Sequence, residues 1–373
     1  MIAATGEAAS PRASEFTCNL HQPDAGEWRA LRRRMSPEAA FFGGGWIEAW
    51  AESYLPHGRW RGPCRYLSVR NARGELTGVF PFARMKFGPV EFRVGGGHFL
   101  PYRSVALAAV TDSRRDTCAA MAEALIDYAP WRLGLRIGAI SDHDESSRAI
   151  ATALAARGWH VGMRKLGQCF VLQAPANAAR FNEVSGGMIK RANYYERRMR
   201  RAGSVAITEF RSIDSNRWRA ALEDAAAIES NSWLSGEDGH LLFATQADIN
   251  FWARAVCDDF LHEAITLWIM YFNGRPASFS LTLDAGGTKF ILANLYDERL
   301  KDHRTGNILA YYIISRAIEQ GYKLIDWGLG DSGYKRLWGA EPGHALYDLL
   351  ALPPGPISGI IKWAIERRSP YRF

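Results

Sequence analysis

Between residues 287 and 338 the spacing of apolar positions changes twice. A largely apolar run from Lys289 to Tyr296 has the length and residue types of a buried strand. After a polar, turn-rich segment, apolar residues recur at helical spacing from Ile308 to Gln320, and Gly321 is a natural helix stop. The run KLIDWGLG then predicts a second buried strand that ends in a glycine-containing turn. This order predicts a strand–helix–strand unit with parallel strands and the helix on one face of the sheet.

The start of the predicted helix is a candidate anion site. Gly306 and Asn307 stand where the first backbone N–H groups of the helix have no internal acceptor, and Arg304 lies just upstream. Such a helix start can bind a phosphate or diphosphate, although an ordinary loop with a solvated arginine fits a single glycine equally well. We assign Arg304, Gly306 and Asn307, together with Asn294 of the preceding strand, as candidate cofactor-binding residues. The unit contains neither GxxxxGK[ST] nor GxGxxG, which disfavours ATP and dinucleotides.

A hairpin pattern occurs once in each half of the chain. Strand-like runs meet at turns beginning at Asn71 and Asn273, 202 positions apart (273 − 71), with helix-length segments around them. We therefore predict an α/β protein with two related halves; the alternative is a coincidence of two common turns. The predicted divisions are a flexible tail over 1–15, an N-terminal domain over 16–177 and a C-terminal domain over 178–373 that ends in a basic amphipathic segment.

Composition narrows the compartment and the partners. The 373 residues are 47% hydrophobic and carry a formal net charge of +7, which favours anionic partners such as CoA, nucleotides, RNA or acidic lipids. The 5 cysteines are scattered, and the 9 histidines show no HxH or HExxH spacing, so neither a disulfide framework nor a metal site is predicted. No apolar run is long enough to span a bilayer. We expect a cytoplasmic protein.

Two segments concentrate positive charge. A predicted helix from Ser185 to Ala202 has one apolar stripe, and its other face is either solvated or contacts CoA phosphates, a polyanionic acceptor or a nucleotide. The C-terminal segment PISGIIKWAIERRSPYRF either packs on the body or lies on an anionic membrane surface, at the inner face of the membrane. The basic residues of the predicted helix are Lys190, Arg191, Arg197, Arg198, Arg200 and Arg201.

A motif follows the strand–helix–strand unit. It runs from Asp326 to Trp338 as D-x-x-x-G-D-x-x-Y-K-x-x-W. Unit and motif together resemble the GNAT superfamily, and more narrowly its CelD-like branch of exopolysaccharide- and cellulose-associated acetyltransferases, which is related to the Fem transferases. The likeness covers residues 178–350 well and the N-terminal half more loosely. The usual signature, Gln or Arg followed by x-x-Gly-x-Gly/Ala, is degraded here to HRTGNI from His303 to Ile308.

The resemblance implies a fold and an activity. The fold would be two tandem GNAT-like halves of the Fem type, each a mixed, mostly antiparallel sheet flanked by helices. The activity would be N-acyl transfer, most simply from acetyl-CoA without a metal, to an amino group of an exopolysaccharide sugar or its precursor. The Fem likeness also permits an aminoacyl-tRNA donor. The arginine clusters permit a third role, as a cyclic-dinucleotide-responsive effector of polysaccharide synthesis.

Acyl transfer to an amine requires a base and a proton donor for the leaving thiolate. The candidate bases are Glu229, which precedes a tryptophan in IESNSW, and Asp326 and Asp331, which follow the second strand. Tyr334 is the candidate that protonates the thiolate or orients the acceptor. Alternatively, Asp326 caps the turn that follows it.

Candidate acceptor-binding residues come from the resemblance. In this branch an E-x-x-x-W element and a Y-K-x-x-W element flank the cleft, which implicates Trp233, Lys335 and Trp338. Both tryptophans would instead be core residues if the likeness does not extend to function. The branch often has lysine after the first tryptophan, whereas this chain has Leu234, so contacts with the acceptor would differ there.

Overall fold

The computed structural model describes residues 16–87, 90–107, 111–128, 134–174, 178–211, 215–236, 241–331, 333–368 and 371. The predicted tail, residues 1–15, lies outside them. The strands are β1 (Phe16–Leu20), β2 (Trp60–Asn71), β3 (Leu76–Phe87), β4 (Val90–Gly95), β5 (Ala106–Leu107), β6 (Gly134–Ser141), β7 (His160–Gln173), β8 (Val205–Phe210), β9 (Ile265–Phe272), β10 (Arg275–Ala285), β11 (Thr288–Tyr296), β12 (Leu324–Leu329) and β13 (Glu341–Leu352). The helices are α1 (Ala25–Arg32), α2 (Gly44–Tyr54), α3 (Thr111–Asp127), α4 (Glu145–Ala156), α5 (Ala178–Ala202), α6 (Ser215–Ser230), α7 (Gln246–Ala255), α8 (Leu261–Ala264), α9 (Thr305–Glu319), α10 (Tyr334–Leu337) and α11 (Pro356–Arg368).

The described strands form one 13-stranded sheet in the order β1-β2-β3-β4-β6-β13-β7-β12-β11-β10-β9-β8, with β5 beside β3. Its two ends repeat one plan. In the N-terminal half, β1 to β4 are antiparallel neighbours and β4 pairs in parallel with β6. In the C-terminal half, β8 to β11 are antiparallel neighbours and β11 pairs in parallel with β12. This repeat confirms the two tandem α/β halves.

The predicted hairpins occupy equivalent places in that plan. The turn at Asn71 joins β2 to β3, and the turn at Asn273 joins β9 to β10. Asn273 (φ 50°) and Gly274 (φ 74°) both adopt left-handed conformations, as the tight turn of a twisted hairpin requires. The strand–helix–strand prediction is also confirmed, because α9 connects β11 to the parallel strand β12.

The two halves exchange strands at the centre of the sheet. β13, the last strand of the chain, lies between β6 and β7, while β7 pairs on its other side with β12. The sheet of the N-terminal half is therefore completed by a C-terminal strand. The boundary between residues 177 and 178 stays a prediction, and residues 175–177 lie outside the described ranges.

Helices cover both faces of the C-terminal half. α5 and α9 pack on one face around Leu309, Ile313 and Ile325, which are all fully buried. On the other face, α2 of the N-terminal half meets α7 in an aromatic cluster in which Trp46 packs edge-on against Phe251 at 5.0 Å. Every helix in the described ranges is too short or too polar to cross a lipid bilayer.

Candidate active site

The parallel strands β11 and β12 separate after a short paired stretch. They pair only from Thr288 to Phe290 on β11, although β11 continues to Tyr296. The register of β11 against β10 shifts at Leu292, and an extra residue in a ladder bends the strand that carries it. The register of β12 against β7 is also irregular after Asp326. The backbone edge of β11 beyond Phe290 is therefore left without β12 as a partner.

A cavity of about 960 Å³ lies at this divergence. Its walls come from β11, β12, α5, the start of α9 and α10, and from the segment that follows α6. This volume is at the upper end of the usual range for a small-molecule site. All four predicted cofactor-binding residues line the cavity, namely Asn294, Arg304, Gly306 and Asn307.

The start of α9 forms one end of the cavity. Arg304 has φ 54°, and its carbonyl accepts hydrogen bonds from Asn307 N at 2.9 Å and Ile308 N at 3.3 Å. The N–H group of Gly306, which lines the cavity, precedes any intrahelical acceptor and is therefore available to a ligand. A Cβ at Gly306 would lie 3.3 Å from the Tyr296 ring, so only glycine leaves this approach open. Lys301 adds a second cation to the lining.

Tyr334 begins α10 and lines the cavity near Asn294. Its ring packs edge-on against Trp327 at 5.5 Å. Burial raises the pKa of Tyr334 to about 12, opposed by a side-chain hydrogen bond with Asn294. The phenol therefore keeps its proton at neutral pH and is a competent proton donor.

Glu229 lies near the end of α6 with its carboxylate in the cavity wall. Its two oxygens accept hydrogen bonds from Leu242 N at 2.8 Å and Phe243 N at 2.7 Å. Burial raises the pKa of the Glu229 carboxyl above its ordinary value, although the two N–H donors act in the opposite direction. A carboxylate held in this way is fixed in position and more basic than a solvated one.

Apolar side chains are exposed around the mouth. Trp233 is 48% exposed and lines the cavity together with Leu234. Exposed Tyr194, Leu329 and Leu337 line the same cavity. Exposed apolar surface concentrated at one opening is typical of a binding site.

Lys335 lines the cavity, but its ammonium group is already bonded. Nζ donates to the carbonyls of Trp327 at 2.9 Å, Gly328 at 3.2 Å and Leu329 at 2.9 Å. Burial lowers the pKa of Lys335 to about 8. All three donor positions of the ammonium therefore hold the end of β12, and acceptor binding by Lys335 stays a prediction.

Three other predicted site residues lie outside the cavity lining. Asp326 is 3% exposed, and its side chain accepts a hydrogen bond from Gly328 N at 2.8 Å. This is the contact expected if Asp326 caps the turn that follows it. Asp331 pairs with Arg336 and accepts from Gly333 N at 2.9 Å; Arg336 lowers the pKa of its carboxyl. Neither carboxylate lines the cavity, and a catalytic role for them stays a prediction.

Trp338 is the third of these residues. It is 0% exposed and packs against Phe181 at 6.3 Å and Tyr311 at 6.4 Å, as a core residue of the α5–α9 layer. This is the core position named as the alternative for Trp338, and acceptor binding by this residue stays a prediction.

Some lining residues carried no sequence signal. Lys301 stands in the turn-rich link before α9, and Tyr194 interrupts the basic face of α5. Lys190 and Arg191 of that face also line the cavity, so the basic helix and the strand–helix–strand unit belong to one site. The one sequence feature that indicated a role for Tyr194 was its position close to those basic residues.

Residues 189–336 match the family model described as the acetyltransferase (GNAT) domain. This stretch contains most of the cavity lining. The fold and the site thus define an acyltransferase. The resemblance to the GNAT superfamily found in the sequence is confirmed for residues 189–336. No curated protein matches the chain in sequence.

Three solved structures share the fold across both halves. FemX is 14% identical with a TM-score of 0.57, covering 93% of this chain and 100% of its own. A conserved protein of unknown function from Bacteroides thetaiotaomicron is 12% identical with a TM-score of 0.53, covering 91% and 100%. L-PGS from Bacillus licheniformis is 13% identical with a TM-score of 0.52, covering 92% and 96%. The Fem-type tandem architecture is thereby confirmed.

Proposed function

We propose that this protein transfers an acyl group, most simply acetyl, from CoA to the amino group of a sugar in an exopolysaccharide or its precursor. The observation that carries the proposal is the divergence of β11 and β12 directly above the start of α9. It places the edge of β11 that β12 leaves unpaired, the N–H group of Gly306 and Arg304 along one cavity. A diphosphate suits the helix start, and the amide groups of a pantetheine arm suit the strand edge.

The reaction uses two of the predicted catalytic residues. The amine nitrogen attacks the thioester carbonyl carbon, a C–N bond forms and the C–S bond breaks. Glu229 accepts the proton that the amine loses, and Tyr334 donates a proton to the departing thiolate. The two groups are matched to these tasks, since burial makes Glu229 more basic and keeps Tyr334 protonated.

The mouth of the cavity supports a sugar with nearby negative charge as the acceptor. Trp233 and Tyr194 offer exposed aromatic faces on which a sugar ring can lie. Lys190 and Arg191 bring cations to the same opening, where phosphate groups of a sugar precursor would be attracted.

Calorimetric titration with acetyl-CoA tests the donor assignment. The variant Gly306→Asp adds a carboxylate beside the proposed diphosphate. At about 5 Å and an effective dielectric near 40, repulsion costs about 2–3 kcal/mol, or roughly 30- to 150-fold in Kd. Gly359→Asp is the matched control, because Gly359 is an exposed helical glycine with nothing within 4 Å of its Cβ position. Absence of binding by the parent protein would refute the donor assignment.

An aminoacyl-tRNA donor is the second candidate. It is favoured by the continuity of the cavity with the cationic face of α5, where Arg197 and Arg198 are exposed. Competition between CoA and aminoacyl-tRNA for the purified protein separates the two donors. A cyclic dinucleotide held by the same arginines, with no thioester turnover, would instead support the effector role.

α11 supports peripheral contact with an anionic lipid surface. Its inner face packs through Ile361 and Ile365, whereas Ile357, Ile360 and Trp363 are exposed on the outer face. Arg367 lies over the Trp363 ring at 4.2 Å, so positive charge accompanies the apolar patch. An exposed apolar stripe with flanking cations matches the interface of acidic membranes.

A further inference from the structure

Three metal-ligating side chains meet on the opposite side of β12 from the cavity. Cys169 of β7, Asp326 of β12 and His344 of β13 place their ligating atoms within 4.8 Å of one another. His344 Nε2 is 3.5 Å from Asp326 Oδ2. The three residues are far apart in sequence, with separations of 157 (326 − 169) and 18 (344 − 326), so no spacing motif reveals them.

Irregularities in the sheet bring these side chains together. Asp326 is the last residue before the register of β12 against β7 shifts. His344 lies in the shift between Pro342 and Ala345, where β13 departs from regular pairing with β7. Such irregularities in strand pairing change the direction of nearby side chains, and here the side chains of Asp326 and His344 come together.

The distances and the ligand types suit a tetrahedral transition metal. With Zn–N and Zn–O bonds of about 2.0–2.1 Å, neighbouring ligands of a tetrahedral ion lie about 3.4 Å apart, close to the His344–Asp326 separation. A thiolate, an imidazole and a carboxylate together select zinc or a similar ion over magnesium and calcium. Cys169 and Asp326 are 2% and 3% exposed, and Ala139 and Leu346 pack around the thiol, so the site is enclosed.

A second carboxylate lies beside the cluster. Asp142 Oδ1 is buried and accepts no hydrogen bond from the described part of the chain, and His143 Nε2 lies 3.5 Å from it. The backbone holds Asp142 next to the cluster, since its N–H donates to Ala345 O at 2.9 Å. The His143 ring lies 6.1 Å from that of His344. Asp142 and His143 thus form a polar rim from which a further ligand can come.

We infer that Cys169, Asp326 and His344 bind one Zn²⁺ ion that joins the strands exchanged between the two halves. The ion would link β7 of the N-terminal half to β12 and β13 of the C-terminal half. The ion would also fix Asp326, where β12 separates from β11. It would thereby stabilise the wall of the proposed donor cavity from the opposite side of β12. We assign Cys169 no nucleophilic role, because it is enclosed and, unlike Glu229, lies outside the cavity lining.

Titration of the chelator-treated protein with CoCl₂ tests the site, because a cobalt–thiolate bond absorbs in the near ultraviolet. We expect one equivalent of Co²⁺ to bind with this charge-transfer band and one equivalent of Zn²⁺ to displace it. Cys169→Ser should lose the band, and His344→Gln should weaken Co²⁺ binding at least about 10-fold. Cys257→Ser is the matched control, since Cys257 is exposed and outside the cluster.

Each outcome of the titration decides the question. No band in the parent protein, a band that survives Cys169→Ser, or a band lost in Cys257→Ser would overturn the site. If circular dichroism shows that Cys169→Ser does not fold, His344→Gln decides, and parent-like Co²⁺ affinity in that variant overturns the site. Zinc at 100 times its Kd should also raise Tm by a few degrees, about 2–5 °C, in the parent but not in His344→Gln.

Discussion

Replacing Lys335 with methionine should change how the stability of the fold responds to alkaline pH. The Lys335 ammonium is 6% exposed and donates to three carbonyls at the end of β12. Burial lowers the pKa of this lysine from 10.5 to about 8. Methionine fills a similar volume without a titrating group, so the variant isolates the contribution of the charge.

The sign follows from proton binding in the two states. Between pH 8 and 10.5 the unfolded chain holds the proton on Lys335 and the folded chain releases it, so the free energy of unfolding increases with pH. This contribution is complete above pH 10.5 and is lost as pH falls through about 8. From pH 7.5 to 9.5, a shift from 10.5 to about 8 gives an increase of about 2 kcal/mol from this one group.

Urea unfolding of parent and Lys335→Met at pH 7.5 and 9.5 measures the effect. The free energy of unfolding of the parent should rise by about 2 kcal/mol relative to the variant between the two pH values. Contributions that do not depend on the protonation of Lys335, such as packing of its aliphatic chain, are present at both pH values, so they cancel from this difference. Lys86→Met, at an exposed position, should respond to pH like the parent. An identical pH response in parent and Lys335→Met would refute the reasoning.

Three further changes test the proposed site and the membrane surface. Tyr334→Phe should lower kcat about 100-fold or more with little change in KM, measured by thiol release with an amino-sugar acceptor, because only the proton donor is lost. Trp233→Ala should raise the acceptor KM about 10-fold while the Kd for acetyl-CoA is unchanged, since the ring stands at the mouth. Trp363→Ser should reduce co-sedimentation with vesicles containing acidic lipid, and equal binding by the parent to neutral vesicles would count against the charge-assisted contact.

Local periodicity was enough to predict the unit that forms the cavity. β11, α9 and β12 each have a clear apolar period, and a short crossover between two buried strands has one common handedness and direction. Gly306 and Arg304 were enough to identify the helix start as a candidate anion site, because the first backbone N–H groups of any helix have no intrahelical acceptor. These features depend on neighbours within about 30 residues, which a single sequence can show.

The faces of the site residues depended on longer-range structure. Strand alternation sends Asp326 to the opposite side from Ile325 and Trp327, so a carboxylate at the end of the strand faces away from the cavity. Trp338 is enclosed by rings from α5 and α9, a contact that spans the domain. Lys335 donates hydrogen bonds to backbone carbonyls at the end of β12, and the composition of the sequence does not reveal this contact. The insertion of β13 between β6 and β7 is likewise a non-local pairing.

The two halves share a plan but treat the gap beside their parallel strands differently. In the N-terminal half, β4 and β6 also pair over only three positions, Phe92 to Val94 on β4. Beyond them Arg103 spans the gap, with Nε donating to Gly97 O at 2.8 Å and its backbone N to Ala139 O at 2.6 Å. A pantetheine arm would have to displace this half-buried side chain and leave both strand ends without their donor. In the C-terminal half Tyr334 contacts both Asn294 of β11 and Trp327 of β12, but the corresponding gap stays open as the cavity. The proposed donor site therefore has no open counterpart at the equivalent gap of the N-terminal half, because Arg103 closes that gap.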